Sequence, residues 1–472
     1  MGKKVIIIGS GFAGLSAAAF MARSGWDTLV LEKHTGPGGR ARKLEAKGFT
    51  FDMGPSWYWM PDVFERFFAQ FGKKVSDYYE LVRLDPSYRV YWENGPMDIP
   101  ADYGAFRALF ESLEPGAGVK LDRFLEGAEF KYRVGINKLV FKPGQSLAEF
   151  MDIDLFKGLF KLEVLNSIQA HIRKYFKHPK LRQLMEFPVL FLGALPENTP
   201  ALYSLMNYAD IKLGTWFPKG GMYSIVEGMV SLAEEQGARF AYGKDVCEIR
   251  VSGGRAKEVV TSTGEVFQAD VVIGGADYHF IENRLLQPEY RSYSEAWWDK
   301  KVLAPSCLLY YVGLDRKLKD IPHHSLFFDS PFEAHAKEIY VSCSWPEDPL
   351  FYLSVPTVTD TSLAPPGGET MIFLIPVAAG LTGDTTDVRE HYFRVMAERL
   401  KMLTGEDILP NIVHYETFAY SDFKEAYNSF KGNAYGLANT LMQTAILKPS
   451  CRSKKVQNLF YTGQLTVPGP GV

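Results

Sequence analysis

The chain opens on an unbroken β-branched run. Val5-Ile6-Ile7-Ile8 offers no polar position to either side, which predicts a strand covered on both faces. Gly9-Ser10-Gly11-Phe12-Ala13-Gly14 follows at once, and Leu15 to Ala22 then reads as a helix closed by Gly25. Thr28-Leu29-Val30-Leu31 reads as a second strand ending in Glu32. Farther on, Arg239 to Tyr242, Val246 to Val251 and Asp270 to Ile273 have strand character, the last running into the glycine turn Gly274-Gly275. Residues 308–313, 339–342 and 371–376 predict strands of a second, mainly antiparallel sheet, and 388–403 a helix before Thr404-Gly405. No internal repeat and no low-complexity tract interrupts this order. No run of about 18 apolar residues exists, so no spanning helix is predicted.

The first forty residues carry chemistry. Glycines between a buried strand and a helix, with an acid closing the next strand, form the dinucleotide fingerprint in its required context. Gly9 allows the tight turn. Gly11 lets the backbone approach a pyrophosphate at the helix N-terminus, and Gly14 lets helix pack on strand. Glu32 is positioned to accept hydrogen bonds from a ribose, which favours NAD or FAD over a 2′-phosphorylated cofactor.

Composition narrows the class. With 52 basic and 55 acidic residues the formal charge is −3, so no global basic field attracts nucleic acid. A 46% hydrophobic, 23% charged chain of 472 residues is globular and long enough for two or three domains. The 33 Phe, 25 Tyr and 8 Trp leave apolar surface for more than a core. Cys247, Cys307, Cys343 and Cys451 form no CxxC pair, and the nine histidines no ligand motif, so neither a disulfide framework nor a metal site is expected. Met1-Gly2-Lys3-Lys4 leaves no room for a signal peptide before the first strand, so a reducing compartment is expected.

Five ordered motifs then carry a resemblance. Glu32-Lys33-His34-Thr35-Gly36-Pro37-Gly38-Gly39-Arg40 resembles the ExxxxxGGR loop of the flavoproteins that include amine oxidases, carotenoid desaturases and Rab GDP-dissociation inhibitors. Phe49 to Ser56 resembles the GFxFDxGP(S/T) segment of bacterial-type phytoene desaturases, and Trp216-Phe217-Pro218-Lys219-Gly220-Gly221 their (V/T)WFPxGG segment. Val246 to Ile249 and Gly264 to Ile273 look like the adenine-side strands, and Asn458 to Gly471 like the C-terminal flavin motif. The resemblance implies non-covalent FAD held by Gly9, Gly11, Phe12, Ala13, Gly14, Glu32, Lys33, Gly38, Gly39 and Arg40. It adds Gly54, Pro55 and Ser56 under the flavin, Val246 on the adenine side, and Gly463, Thr466, Val467, Pro468 and Gly469 at the C-terminal motif. In the family a helix follows Pro-Gly-x-Gly and faces the flavin pyrimidine. The expectation is that the natural chain continues past Val472 by about 15 residues.

The fold implied is α/β: a Rossmann-like FAD-binding domain (1–80, 213–285 and 440–472) with a discontinuous α+β substrate domain (81–212 and 286–439). The latter would contain an antiparallel sheet and a helical membrane-contact portion. The activity implied is desaturation of a forty-carbon carotenoid, phytoene towards lycopene, by hydride transfer from an allylic carbon to flavin N5 and proton loss from the adjacent carbon. A later-step desaturase, an isomerase, a ketolase and a non-enzymatic lipid carrier of the Rab GDP-dissociation inhibitor type are the alternatives. No catalytic residue is named, because the delocalised cation needs no strong base. Quinone or oxygen would take the electrons.

Trp57, Tyr58 and Trp59, next to the flavin segment, are expected to line the substrate channel. For Phe187, Phe191, Tyr203 and Tyr208 a core role is preferred. Two segments, 155–165 and Leu184 to Tyr208, read as interfacial membrane contacts, which implies a peripheral protein on the cytoplasmic side of the cell membrane. Asp152 and Asp154 read as helix-start carboxylates, and His323-His324 as a surface loop pair.

Overall fold

The computed structural model describes residues 2–146, 149, 163, 166–190 and 193–469. Segment 155–165 (Glu163 apart), Asp152, Asp154 and Phe191 lie outside these.

The opening strand forms the middle of a five-stranded parallel sheet. Lys4–Ile8 pairs with Asp27–Leu31 on one side and Val271–Gly274 on the other; Arg239–Ala241 and Leu459–Tyr461 are the outer strands. Its side chains alternate between two cores, as a strand covered on both faces requires. Val5 and Ile7 pack with Ala18, Ala19 and Ala22 of the helix Phe12–Arg23, whereas Ile6 and Ile8 pack with Tyr278 and Trp298. A three-stranded antiparallel sheet, Val246–Ser252, Arg255–Thr261 and Val266–Gln268, adjoins it through Ile249 and Val259.

A second sheet has seven strands, in the order Ile412–Phe418, Ser306–Leu314, Glu369–Val377, Phe351–Ser354, His324–Phe327, Tyr88–Trp92, Gly95–Ile99. It is antiparallel except where His324–Phe327 runs parallel to Tyr88–Trp92. One face, with Tyr310, Val312, Phe351 and Phe373, packs on the helix Thr386–Thr404 through Phe393, Met396 and Leu400. The other presents Tyr88, Tyr352, Leu309 and Tyr311 towards residues 49–59. The Tyr311 phenol donates to the Met53 carbonyl at 3.0 Å and ties this face to the first part of the chain.

Three expectations are corrected here. Residues 339–342 are not a strand: the helix Phe332–Lys337 runs on through Glu338–Ser342 and stops at Cys343, whose φ is +49°. His323 and His324 are not on the surface. His324 opens a strand paired on both sides, with Ser354 opposite His324 and Arg89 opposite Ser325, and it is 0% exposed. Finally, Leu184, Met185, Phe187 and Val189 of the helix Pro179–Leu190 are core residues, so these four side chains are not available for the interfacial contact expected of Leu184 to Tyr208. Among the described residues no helix is long and apolar enough to cross a membrane.

Candidate active site

The glycine fingerprint folds because three side chains are missing. Gly9 adopts φ +96°, and its N–H donates to the Leu31 carbonyl at 2.8 Å. A Cβ on Gly14 would lie 2.0 Å from the Gly9 carbonyl oxygen, so only glycine lets the helix start this close to the turn. Gly275 closes the third side, where its N–H donates to the Ile8 carbonyl at 2.8 Å. The helix begins at Phe12, so the first N–H groups, including those of Phe12, Ala13 and Gly14, have no partner within it.

Glu32 is buried and already employed. Its Oε2 accepts from the Ser10 N–H at 2.9 Å and the Ser10 hydroxyl at 2.7 Å; Oε1 accepts from the His34 N–H at 2.9 Å. One lone pair of Oε1 is left for a ribose hydroxyl. Glu32 therefore also fixes the middle of the fingerprint loop. Lys33 turns away, its Nζ donating to the Glu425 carbonyl at 2.9 Å. Val246 is buried at the start of its strand.

The Gly38-Gly39-Arg40 loop packs on the fingerprint. Gly38 donates to the Ser10 carbonyl at 2.9 Å, and a Cβ on Gly39 (φ +55°) would lie 3.2 Å from the Gly11 Cα. Gly54 closes on the same loop, since a Cβ there would lie 2.0 Å from the Arg40 carbonyl oxygen. Arg40 reaches across to the Ser429 hydroxyl at 3.1 Å and, with Gln464 in the orientation that satisfies its neighbours, to the Gln464 amide oxygen at 3.1 Å. Burial lowers its affinity for the proton, and the Asp277 carboxylate acts in the opposite direction. Thus 38–40 and the C-terminal motif are brought together. Gly463, at φ +116°, accepts from the Thr466 N–H, and the Thr466 hydroxyl donates to the Pro449 carbonyl at 2.6 Å; Val467 to Gly469 follow directly.

Two acids that sequence reasoning did not single out support this site. Asp52 accepts from the N–H groups of Met222 at 2.7 Å and Tyr223 at 3.0 Å, so it joins the Phe49–Ser56 and Trp216–Gly221 motifs. Burial pushes its carboxyl up to about 6 against those two bonds. Asp277 accepts from Phe430 at 3.1 Å and Phe280 at 3.2 Å, and burial pushes it up although Arg40 is near. Asp52 stood inside a quoted motif; Asp277, beyond the Gly274-Gly275 turn, had no local signal.

Beyond Gly54-Pro55-Ser56 the chain enters an aromatic wall. Trp57 stacks on His324 with centroids 4.2 Å apart and planes at 14°, and meets Trp59 at 5.3 Å, Tyr88 at 5.4 Å and Tyr352 at 5.5 Å. His324 Nδ1 and the Tyr352 phenol are hydrogen-bonded at 2.7 Å. Burial holds His323 down at about 3 and His324 well below its usual range, so both stay neutral. Tyr203 and Tyr208 pack beside this group. Tyr58 departs from the expectation made for it. Alternation along the chain sends it the other way, 0% exposed, stacked on Phe64 at 4.4 Å and bonded to Tyr79 at 3.0 Å.

A model of the flavin-containing amine oxidoreductase family matches residues 12–469. The chain belongs to that family. It is 42% identical, over 100% of its length and 95% of the relative's, to a carotenoid 3,4-desaturase of Haloarcula japonica. It is 32% identical, over 100% and 91%, to a zeta-carotene-forming phytoene desaturase of Myxococcus xanthus. The fold is shared with a putrescine oxidase variant (TM-score 0.63, 12% identity, 97% and 93% covered) and a Rab GDI of Plasmodium falciparum (TM-score 0.58, 11% identity, 99% and 95% covered). The protein is therefore an FAD-dependent oxidoreductase, and the site fits that cofactor. Gly14 and Gly54 let the fingerprint turn and the Arg40 loop close as tightly as they do, since a Cβ at either would lie 2.0 Å from a carbonyl oxygen. Among the described residues, the buried Nε atoms of Arg40 and Arg42 have no hydrogen-bond partner, which suits an anionic ligand. No group of metal-ligating side chains occurs among the described residues.

Proposed function

We propose that this flavoenzyme desaturates a carotenoid, removing two hydrogens from neighbouring carbons. The observation that carries the reading is one continuous segment: Gly54-Pro55-Ser56, packed on the Arg40 loop, leads directly into the Trp57 and Trp59 wall. Bound FAD supplies the hydride acceptor. The chain's own part is positional. Trp57, Trp59, Tyr88, Phe187 and Tyr352 offer flat apolar faces to a polyene and exclude water. The neutral His324 puts no cation beside a developing carbocation.

The greater identity to the 3,4-desaturase than to the phytoene desaturase favours a later step, on a carotenoid already partly desaturated, over phytoene towards lycopene. Residues 1–80, 213–285 and 440–472 are read as the FAD-binding domain and the rest as the substrate domain. A lipid-soluble polyene must come from a bilayer, so a peripheral place on the cytoplasmic side of the cell membrane is proposed, with quinone or oxygen as the electron acceptor. The exposed Phe141 (59%) and Phe130 support membrane contact. Incubating FAD-replete protein with liposomes carrying phytoene or a later carotenoid, then chromatographing the pigments, tests the reading. Products two hydrogens poorer are expected, mainly from the later substrate. Unchanged pigments throughout, with flavin bound, refute it, and a colourless protein would return the lipid carrier.

A further inference from the structure

Lys448 is a buried ammonium for which the reading above has no use. It is 5% exposed, and its Nζ donates to the Asn439 amide oxygen at 3.0 Å. Its neighbour Pro449 accepts from the Thr466 hydroxyl at 2.6 Å, which fixes this loop on the C-terminal motif. Gly469, the motif's second glycine, adopts φ +124°, and a Cβ there would lie 2.7 Å from Nζ. The ammonium thus lies directly against the glycine backbone of the motif.

Among the described residues Lys448 makes no ion pair, and one neutral acceptor serves its three donors. Burial alone moves its pKa, down to about 8. A cation taken out of water with so little compensation is unfavourable unless a ligand brings negative charge to it. We infer that the Lys448 ammonium faces the flavin at the Gly469 end of its site and stabilises the negative charge of the reduced ring. The inference rests on the FAD-dependent reading. A ring that accepts a hydride, two electrons and a proton together, becomes one negative charge richer. A preorganised cation in a dry site favours that state over the oxidised one.

The test uses the holoenzyme and the variants Lys448→Met and Lys448→Arg, with FAD occupancy read from absorbance and flavin reduction balanced against a redox dye. Lys448→Met is expected to keep FAD but to raise the oxidised-to-reduced ratio at a fixed dye potential at least tenfold. That change equals a fall of about 30 mV for a two-electron couple. Lys448→Arg should stay within threefold of the parent. A Lys448→Met ratio within threefold of the parent overturns the inference. So does loss of FAD from both folded variants, which would make the residue a packing element. Loss from Lys448→Met alone supports the cation as counter-charge to the cofactor. Lys448→Gln, which keeps a donor for Asn439, is read by the same limits should Lys448→Met not fold. A parent protein without flavin fails the FAD reading itself, a result distinct from all of these.

Discussion

Around Lys4–Ile8 the backbone does the shaping. Gly14 and Gly54 bring main-chain segments so close that a methyl group would collide with a carbonyl, and Gly9, Gly39 and Gly275 leave room for one only in tight contact with neighbouring backbone. Around His324–Phe327 large side chains do it instead: Trp57 stacks on His324 and meets Tyr88 edge-on and Tyr352 and Phe187 at a tilt. The first region recognises a fixed, charged, polar ligand, for which backbone N–H groups and buried arginines are suited. The second is suited to a long apolar one, for which shape and dispersion are the available forces. Tolerance to substitution should differ accordingly. A backbone-built cradle fails outright when one side chain is added, whereas an aromatic wall loses function by degrees.

The largest effect is expected from Gly14→Val. Its side chain would enter the Gly9 carbonyl, so FAD content and folded yield should both collapse; stoichiometric yellow protein would show the cradle to be softer than described. Trp57→Ala comes next. It should keep FAD and lower turnover on carotenoid-loaded liposomes by more than tenfold, and unchanged turnover would remove Trp57 from the wall. The companion Tyr58→Phe should leave turnover alone and cost about 0.5–1.5 kcal/mol of stability, the worth of one neutral hydrogen bond to Tyr79.

Glu186 sharpens the comparison through pH. It is buried beside Phe187, and burial pushes its carboxyl up to about 7 although Arg173 lies 3.9 Å away. In the folded state the group holds its proton above the usual carboxylate range. Its contribution is therefore complete at acid pH and is lost as pH rises from about 4.5 to 7. Relative to Glu186→Gln, the parent should lose up to roughly 3 kcal/mol across that window in urea denaturation. A difference that stays flat with pH would mean the carboxyl ionises freely. Glu32→Ala is expected to weaken FAD by about 1.5–3 kcal/mol, because the ribose loses a charge-assisted hydrogen bond to the carboxylate. Titration of apo-protein with FAD measures it.

The contrast also explains what could be read beforehand. The fingerprint, the Gly38-Gly39-Arg40 loop and the parallel strands were legible because each glycine answers a local demand of the backbone within a few residues. The wall was not. Nothing near His323-His324 announces burial, which comes from Ser354 and Arg89 pairing across both sides of the strand. The strands Tyr88–Trp92, Gly95–Ile99, His324–Phe327 and Phe351–Ser354 likewise take their place from pairing across the sheet. The run Ile339-Tyr340-Val341-Ser342 has strand composition but inherits helix from Phe332–Lys337. Tyr58 could have been assigned by alternation, since its neighbours Trp57 and Trp59 share the opposite side.

The outer strand Leu459–Tyr461 has a bearing on biosynthesis. It pairs with Val271–Gly274, which in turn lies beside Lys4–Ile8, so adjacent strands are separated by nearly 190 and more than 260 residues. On the ribosome the first strand and helix emerge early, yet the sheet edge at Val272 and Ile273 stays bare until residue 459 has left the exit tunnel. The segment Gly463–Gly469 that completes the cradle is later still. The cradle therefore cannot close before these last segments have emerged. Until then the nascent protein carries an open, apolar edge that must be kept from pairing with other chains.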